Sequence, residues 1–426
     1  MKGSIIPREA PMRAAAQLGV LNRLARKVLL ARLRGLRRGM LTVVEGAERK
    51  TFGTLTPGCS IRATLSVHDP RTYSFATFGG SVGAAEAYIQ GWWSADDLTS
   101  LCRLFAINQD EMMNLEKGLA RLSTPLFRLL HFLNRNHRAG SRRNIAAHYD
   151  LGNDFFRLFL DETMMYSCAV FEGKDMMLEE ASRAKINRIC RKLQLSPQDH
   201  LLEIGTGWGG FAVHAAAQSG CRVTTTTISE QQYELATHRV KDAGLADRVT
   251  VLKKDYRDLK GRYDKLVSIE MIEAVGHQYL DSFFKKCSDL LKPDGMMLLQ
   301  AITIADQQYE RARRGVDFIK KFIFPGCFSP SVTAMINSVT RSTDLRLFHL
   351  EDIGPHYATT LRRWRERFFE NLDRVRTLGY LEPFIRMWEY YFCYCEAGFL
   401  ERHVSDVQML LTKPGCRREP LLPQLL

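Results

Sequence analysis

Hydrophobic and polar positions change rhythm along the chain. Leu21, Leu24, Val28 and Ala31 recur three and four residues apart with arginines between them, which predicts an amphipathic helix. From Met40 to about Phe78 the rhythm shortens. Runs at 41–45, 61–67 and 72–78 are β-rich and separated by Gly, Pro and Asp, predicting a small strand-containing domain. Residues 82–115 return to helical spacing, with Trp92 and Trp93 anchoring the join, and a further helical stretch ends at Gly140. Beyond Asn144, apolar runs at 201–205, 223–227, 249–252, 265–269 and 296–302 alternate with helical segments. That is the βαβ alternation of an α/β protein with a doubly wound, parallel sheet. The turn Lys292-Pro293-Asp294-Gly295 stops a helix before the last of these runs, and the tail 357–411 reads as helical. The predicted organisation is a basic amphipathic segment 1–39, a small N-terminal α+β accessory domain 40–115, a basic helical linker 116–143, the main domain 144–411 and a tail 412–426.

Composition narrows the class. The 426 residues exceed the roughly 250–300 that one core can serve, so more than one domain is expected. With 45% hydrophobic and 25% charged residues the chain is not disordered or fibrous. No apolar run approaches the ~18–20 residues that span a bilayer. Ten cysteines without a CxxC pair point to reduced thiols in a cytosolic compartment, and Cys393 and Cys395 lack the further ligands a metal needs. No metal is expected.

Charge is segregated. Arg13, Arg23, Arg26, Lys27, Arg32, Arg34, Arg37 and Arg38 fall within 10–44, and Lys117, Arg121, Arg128, Arg135, Arg138, Arg142 and Arg143 within 117–149; neither stretch holds an acid. These fifteen outnumber the whole net charge of +13. Such Leu-rich basic helices attract anionic lipid headgroups. A helix packed on its own domain and an Arg-rich transit peptide remain the alternatives for the first stretch. Little aromatic interleaving accompanies the arginines, so no nucleic-acid partner is expected. Homodimerisation is left open.

The densest chemical signal is Leu201-Leu202-Glu203-Ile204-Gly205-Thr206-Gly207-Trp208-Gly209-Gly210, a strand running into a glycine turn and then a helix. Its G-x-G-x-G-G spacing departs from the dinucleotide fingerprint, and Thr227, Ser229 and Gln232 stand where a ribose-binding acid would close the second strand. The pattern resembles class I S-adenosylmethionine-dependent methyltransferases, with their Rossmann-like doubly wound sheet.

Flanking motifs sharpen the resemblance. They are His148-Tyr149-Asp150-Leu151-Gly152-Asn153-Asp154-Phe155-Phe156, Met165-Tyr166-Ser167-Cys168-Ala169, Thr227-Ile228-Ser229-Glu230-Gln231-Gln232, and Asp255-Tyr256-Arg257-Asp258. Glu270-Met271-Ile272-Glu273-Ala274-Val275-Gly276, the run 318–326 and Tyr357-Ala358-Thr359-Thr360-Leu361 follow in order. This series, over roughly 144–411, resembles the cyclopropane-fatty-acyl-phospholipid synthase and mycolic acid cyclopropane synthase family.

The resemblance implies an enzyme in which the cis double bond of an unsaturated phospholipid acyl chain attacks the methyl group of S-adenosylmethionine. The carbocation then loses a proton to bound bicarbonate and closes a cyclopropane ring. By resemblance the bicarbonate holders are the Cys168 backbone, Glu273, the Ile302 backbone, Tyr357 and Gln300, the last standing where the family usually has His. Gln donates a hydrogen bond but carries no charge, which keeps a second product alive: a branched or methylene fatty acid formed without ring closure. Cys395 matches a cysteine once suspected as a nucleophile; since the alkene itself attacks, it reads as structural. The cofactor contacts implied are Tyr166, Ser167, Glu203, Gly205, Gly207, Gly209, Gly210, Thr227, Ser229, Gln232, Tyr256 and Arg257, with His148 and Tyr149 as a lid. The expected location is cytoplasmic, peripherally bound to an anionic membrane.

Overall fold

A computed structural model describes residues 12–109 and 151–421. The linker 116–143, His148, Tyr149 and the whole second basic stretch 117–149 lie outside the described residues. The described chain forms two compact units: residues up to 109 with Glu382–Tyr390, and residues 151–381 with 391–421.

In the first unit, β1 (Gly39–Glu45), β2 (Glu48–Thr54), β3 (Arg62–Val67) and β4 (Trp93–Ala95) form a sheet in the order β2-β1-β3-β4. Helix Met12–Leu33 packs on helix Arg71–Ile89, where the Thr77 hydroxyl donates to the Ala25 carbonyl at 3.3 Å. The second of these helices replaces the strand expected over 72–78. Thr72-Tyr73-Ser74-Phe75 alternates like a strand, but Tyr73 reaches Glu45 with its hydroxyl (2.9 Å) and the chain coils over the sheet, kinking at Gly80. The first helix differs in which face it buries. Asn22, Ala25, Leu30 and Leu33 point inward, whereas Leu24 is 57% and Val20 59% exposed.

The second unit is built on β5 (His200–Ile204), β6 (Arg222–Thr227), β7 (Val249–Lys253), β8 (Tyr263–Ile269), β9 (Leu291–Ile304), β10 (Arg346–Asp352) and β11 (Val404–Thr412), in the order β10-β11-β9-β8-β5-β6-β7. Neighbours from β7 to β9 run parallel, and β11 is antiparallel to both β9 and β10. Both faces are covered. Leu202, Leu266, Phe283 and Phe284 pack on one side, and Leu201, Ile189, Phe211 and Val223 on the other. The strands are therefore near-continuously apolar rather than alternating. Lys292 to Gly295 bulge out between the register pairs Tyr263↔Leu291 and Lys265↔Met296. The tail is not wholly helical. After helices Gly354–Glu370, Leu372–Thr377 and Glu382–Leu400, the chain re-enters the sheet as β11.

Strand order reverses at β5, which sends the chain to β6 on one side and is flanked by β8 on the other. In such sheets ligands bind outside the carboxyl ends of the strands at that point. Among the described residues no helix is long and apolar enough to cross a membrane.

Candidate active site

Two clusters sit around the carboxyl end of β5 and its neighbours. The first is the glycine turn. Gly207 adopts φ 51°, and a Cβ built on it would meet nothing within 4 Å, so the backbone presents an open surface for a ligand. Gly210 opens helix Gly210–Ser219, and a Cβ there would lie 2.2 Å from the Thr163 carbonyl, so only glycine lets the 161–167 segment close over the turn. Arg239 ties the same pieces together, donating to the carbonyls of Thr163 and Trp208, each at 3.0 Å.

Beside the turn, Thr227, Ser229 and Gln232 form one knot. The Thr227 hydroxyl donates to Gln232 Oε1 (2.7 Å) and accepts from the Ser229 N–H (3.1 Å), while Ser229 caps helix Glu230–Asp242. Tyr256 packs edge-on against Phe283 with centroids 5.5 Å apart, and Arg257 pairs with Asp255 at 2.6 Å. Glu203, one residue before the end of β5, accepts from the Thr225 hydroxyl at 2.6 Å, and burial pushes its carboxyl up to about 8. Ser167 accepts from the fully buried Lys185 at 2.8 Å. Tyr166 donates to the Tyr391 hydroxyl (3.0 Å) inside an aromatic wall of Phe156, Phe159, Trp364 and Phe324. Open backbone and neutral hydroxyls fit the methionine and ribose portions of S-adenosylmethionine.

The second cluster holds a residue to which the sequence reading assigned no role. Glu270 follows β8 with φ 46°, a left-handed conformation that costs an L-residue roughly 1–2 kcal/mol. Its own N–H is held by the Gln300 carbonyl at 2.8 Å. The turn aims its carboxylate at three donors: the Cys168 N–H (2.8 Å) and Gln300 Nε2 (2.8 Å) on Oε1, and the Tyr357 hydroxyl (2.6 Å) on Oε2. Three of the groups that the resemblance gives to bicarbonate thus converge on a side chain of the protein. The other two meet each other instead. The Ile302 N–H donates to Glu273 Oε1 at 2.6 Å, and Glu273 Oε2 is buried without a partner among the described residues. Burial, reinforced by the Glu270 charge, pushes Glu273 up to about 8. The sequence did carry a hint, two glutamates three residues apart after a buried strand. Spacing alone could not say which of them faces the site.

Gln300 is oriented by a chain of polar contacts. Lys192 Nζ donates to Gln408 Oε1 (2.8 Å), Gln408 Nε2 to Gln300 Oε1 (3.1 Å), and Gln300 Nε2 to both Glu270 (2.8 Å) and Asp406 Oδ2 (2.9 Å). Lysine can only donate and a carboxylate only accepts, so neither amide can flip without breaking the chain. Register places Gln408 directly opposite Gln300, and Asp406 opposite Ile302. Tyr357 stacks on Phe399 with centroids 4.4 Å apart, and burial followed by the Glu270 charge pushes its phenol well up. Cys395 lies apart from this cluster, beside Asp317, Cys327 and Cys393, and burial raises its thiol, the state of a packing residue rather than a nucleophile. Among the described residues no group of three or more His, Cys, Asp or Glu is placed to hold a metal.

The chain is similar to known proteins in sequence and fold. The mycolic acid cyclopropane synthetase family model matches residues 136–409. A tuberculostearic acid methyltransferase of Mycobacterium tuberculosis is 40% identical over 375 residues, covering 85% of this chain and 86% of the relative. A cyclopropane-fatty-acyl-phospholipid synthase of Escherichia coli is 34% identical, covering 83% and 89% respectively. The solved structure of a mycolic acid cyclopropane synthase, CmaA1, with SAH and CTAB aligns with a TM-score of 0.59 at 33% identity, covering 64% of this chain and 98% of that one. With a class I methyltransferase sheet, an open glycine turn and these relatives, the chain belongs to the mycolic acid cyclopropane synthetase family of S-adenosylmethionine-dependent lipid methyltransferases and cyclopropane synthases.

Proposed function

We propose that this protein methylates the cis double bond of an unsaturated phospholipid acyl chain, with the Glu270 carboxylate as the base. The observation that carries this reading is the convergence of Cys168 N–H, Gln300 Nε2 and the Tyr357 hydroxyl on Glu270. Bicarbonate does not fit those donors while Glu270 fills them, so no step is routed through it.

S-adenosylmethionine supplies an electrophilic methyl group. The alkene π pair forms the new C–C bond and leaves a carbocation on the adjacent chain carbon. The rings of Phe156, Tyr166 and Trp364 line a water-poor wall whose faces stabilise that cation. Glu270 then takes a proton from the transferred methyl group, and the C–H pair becomes a new C–C bond. If deprotonation is immediate, that bond closes a ring. If a hydride first shifts from the neighbouring carbon, it becomes the double bond of an exocyclic methylene. We favour the methylene product because the 40%-identical relative is named a methyltransferase and not a cyclopropane synthase. Ring closure is the second reading, supported by the 34%-identical cyclopropane synthase.

The test is expression in a host lacking such lipids, followed by mass spectrometry and proton NMR of the acyl chains. Chains heavier by one methylene unit, with vinylidene protons that vanish in Glu270→Gln, support the first reading. Upfield ring protons support the second. Unchanged lipids despite S-adenosylmethionine binding would sink both.

We further propose that the enzyme is cytoplasmic and docks on anionic membranes through its first helix. Val20, Leu21 and Leu24 are exposed there among Arg23, Lys27 and Arg34. Vesicle co-sedimentation should rise with anionic lipid content and fall in Leu24→Glu. Binding indifferent to both would overturn the docking.

A further inference from the structure

A further acid, this one fully buried, stands behind Glu270. Asp406 on β11 is fully buried, and Ile353 N–H donates to its backbone carbonyl at 2.7 Å, so its position on the strand is fixed. One amide nitrogen, Gln300 Nε2, bridges it to Glu270, giving one hydrogen to Glu270 Oε1 at 2.8 Å and the other to Asp406 Oδ2 at 2.9 Å. That exhausts the amide's two hydrogens. Among the described residues Asp406 Oδ1 has no hydrogen-bond partner, while Asp406 Oδ2 and Glu270 Oε1 lie against the same amide nitrogen. A fully buried carboxyl group this close to a second one is held protonated, because desolvation and the neighbouring charge both disfavour its ionised form.

We infer that Asp406 and Glu270 share a single proton, carried by Asp406, the positioning residue beside the Glu270 carboxylate. The groups facing Asp406 agree with this assignment. Glu270 and Glu273 are acids, Cys168 and Tyr357 are neutral donors, and among the described residues facing it Lys185 is the one cation. One lysine can balance only one of three neighbouring acids. Burial, then the Glu270 charge, raises Asp406 well above the usual carboxylate range. In the reaction the pair passes from one proton to two: the C–H bond of the methyl group breaks, an O–H bond forms on Glu270, and Asp406 keeps the proton it already had. The catalytic part of this inference rests on the proposed reaction; the sharing of the proton does not.

Asp406→Asn separates the two. An asparagine of the same shape still gives Glu270 a hydrogen bond but has no proton to lose. Folded wild type holds a proton on Asp406 that the unfolded chain has released, so this residue makes stability fall as pH rises from the ordinary carboxylate range through its raised value. Melting temperatures of wild type and variant should therefore converge in mild acid, and the variant should become the more stable as pH rises. Its pH–rate profile should lose any change that wild type shows on the alkaline side, where Asp406 gives up its proton. A variant less stable than wild type at every pH, most of all in alkali, would overturn the inference, since Asp406 would then be a charged counter-ion of Lys185. Melting needs no substrate, so it decides the sharing even if the lipid reaction proves wrong.

Discussion

The two clusters of the site are built in opposite ways. Around the glycine turn, positions close together in sequence do the work through backbone and neutral hydroxyls: Gly205 to Gly210, then Thr227, Ser229 and Gln232. Around Glu270 the participants come from five distant places in the chain, residues 168, 270, 300, 357 and 406, and most of them are ionisable and dry. A ligand that brings its own charge needs only an open, unhindered surface. A base that must act without water needs its charge balanced by groups that only a finished sheet can assemble.

The largest effect expected tests the second cluster. Glu270→Gly relieves a φ of 46° and leaves a hollow facing three donors. Loss of a general base should lower turnover by about a hundred- to ten-thousand-fold, with S-adenosylmethionine affinity unchanged by calorimetry. Added formate or bicarbonate should restore part of the rate by entering the hollow, and a rate blind to both anions would break the idea that the donors select for a small carboxylate.

A smaller effect separates the first cluster. Gly207→Ala must keep φ 51° with a Cβ, which costs roughly 1–2 kcal/mol, and it puts a methyl group on the surface a ligand approaches. Cofactor affinity should fall by about tenfold with the deprotonation step untouched, seen as a raised KM for S-adenosylmethionine at nearly constant kcat.

The smallest concerns stability alone. Burial holds Glu203 up at about 8 against an ordinary 4.5, so the folded protein carries a proton that the unfolded chain gives up. Stability contributed here is greatest in acid and declines as pH climbs through that window. Glu203→Gln should flatten part of this decline in a series of thermal melts; an identical slope in variant and wild type would show that the Thr225 hydrogen bond already keeps Glu203 ionised.

The same contrast explains what could be read from the sequence. The five parallel strands and the glycine turn announce themselves because β-branched and apolar runs alternate with helices at short range. β11 was hidden in a tail taken for helix, since Asp406 and Gln408 interrupt its apolar pattern and are polar for the sake of Gln300 and Lys192 rather than for the strand. The strand expected over 72–78 failed for a related reason: a local alternation of Tyr73, Phe75 and Thr77 says nothing about Glu45 and Ala25, which draw that segment into a helix. Cys168, Gln300 and Tyr357 were found by resemblance, and they do meet. Their common partner was missed because a positive φ at a glutamate leaves no mark in the sequence.

The chain from Lys192 through Gln408 to Gln300 also limits which sequences can succeed one another. Whatever stands at position 300 inherits a donor from Gln408 on one side and must itself donate on the other. A histidine could satisfy that only as one neutral tautomer, with no room for a second proton, because Gln408 would then point a hydrogen at a hydrogen. Gln300→His is thus a different mutation in this protein from its counterpart where the opposing strand offers an acceptor. The route between a built-in carboxylate and a borrowed one passes through residue 408 before it reaches residue 300, and the order of the two steps decides whether the intermediate works.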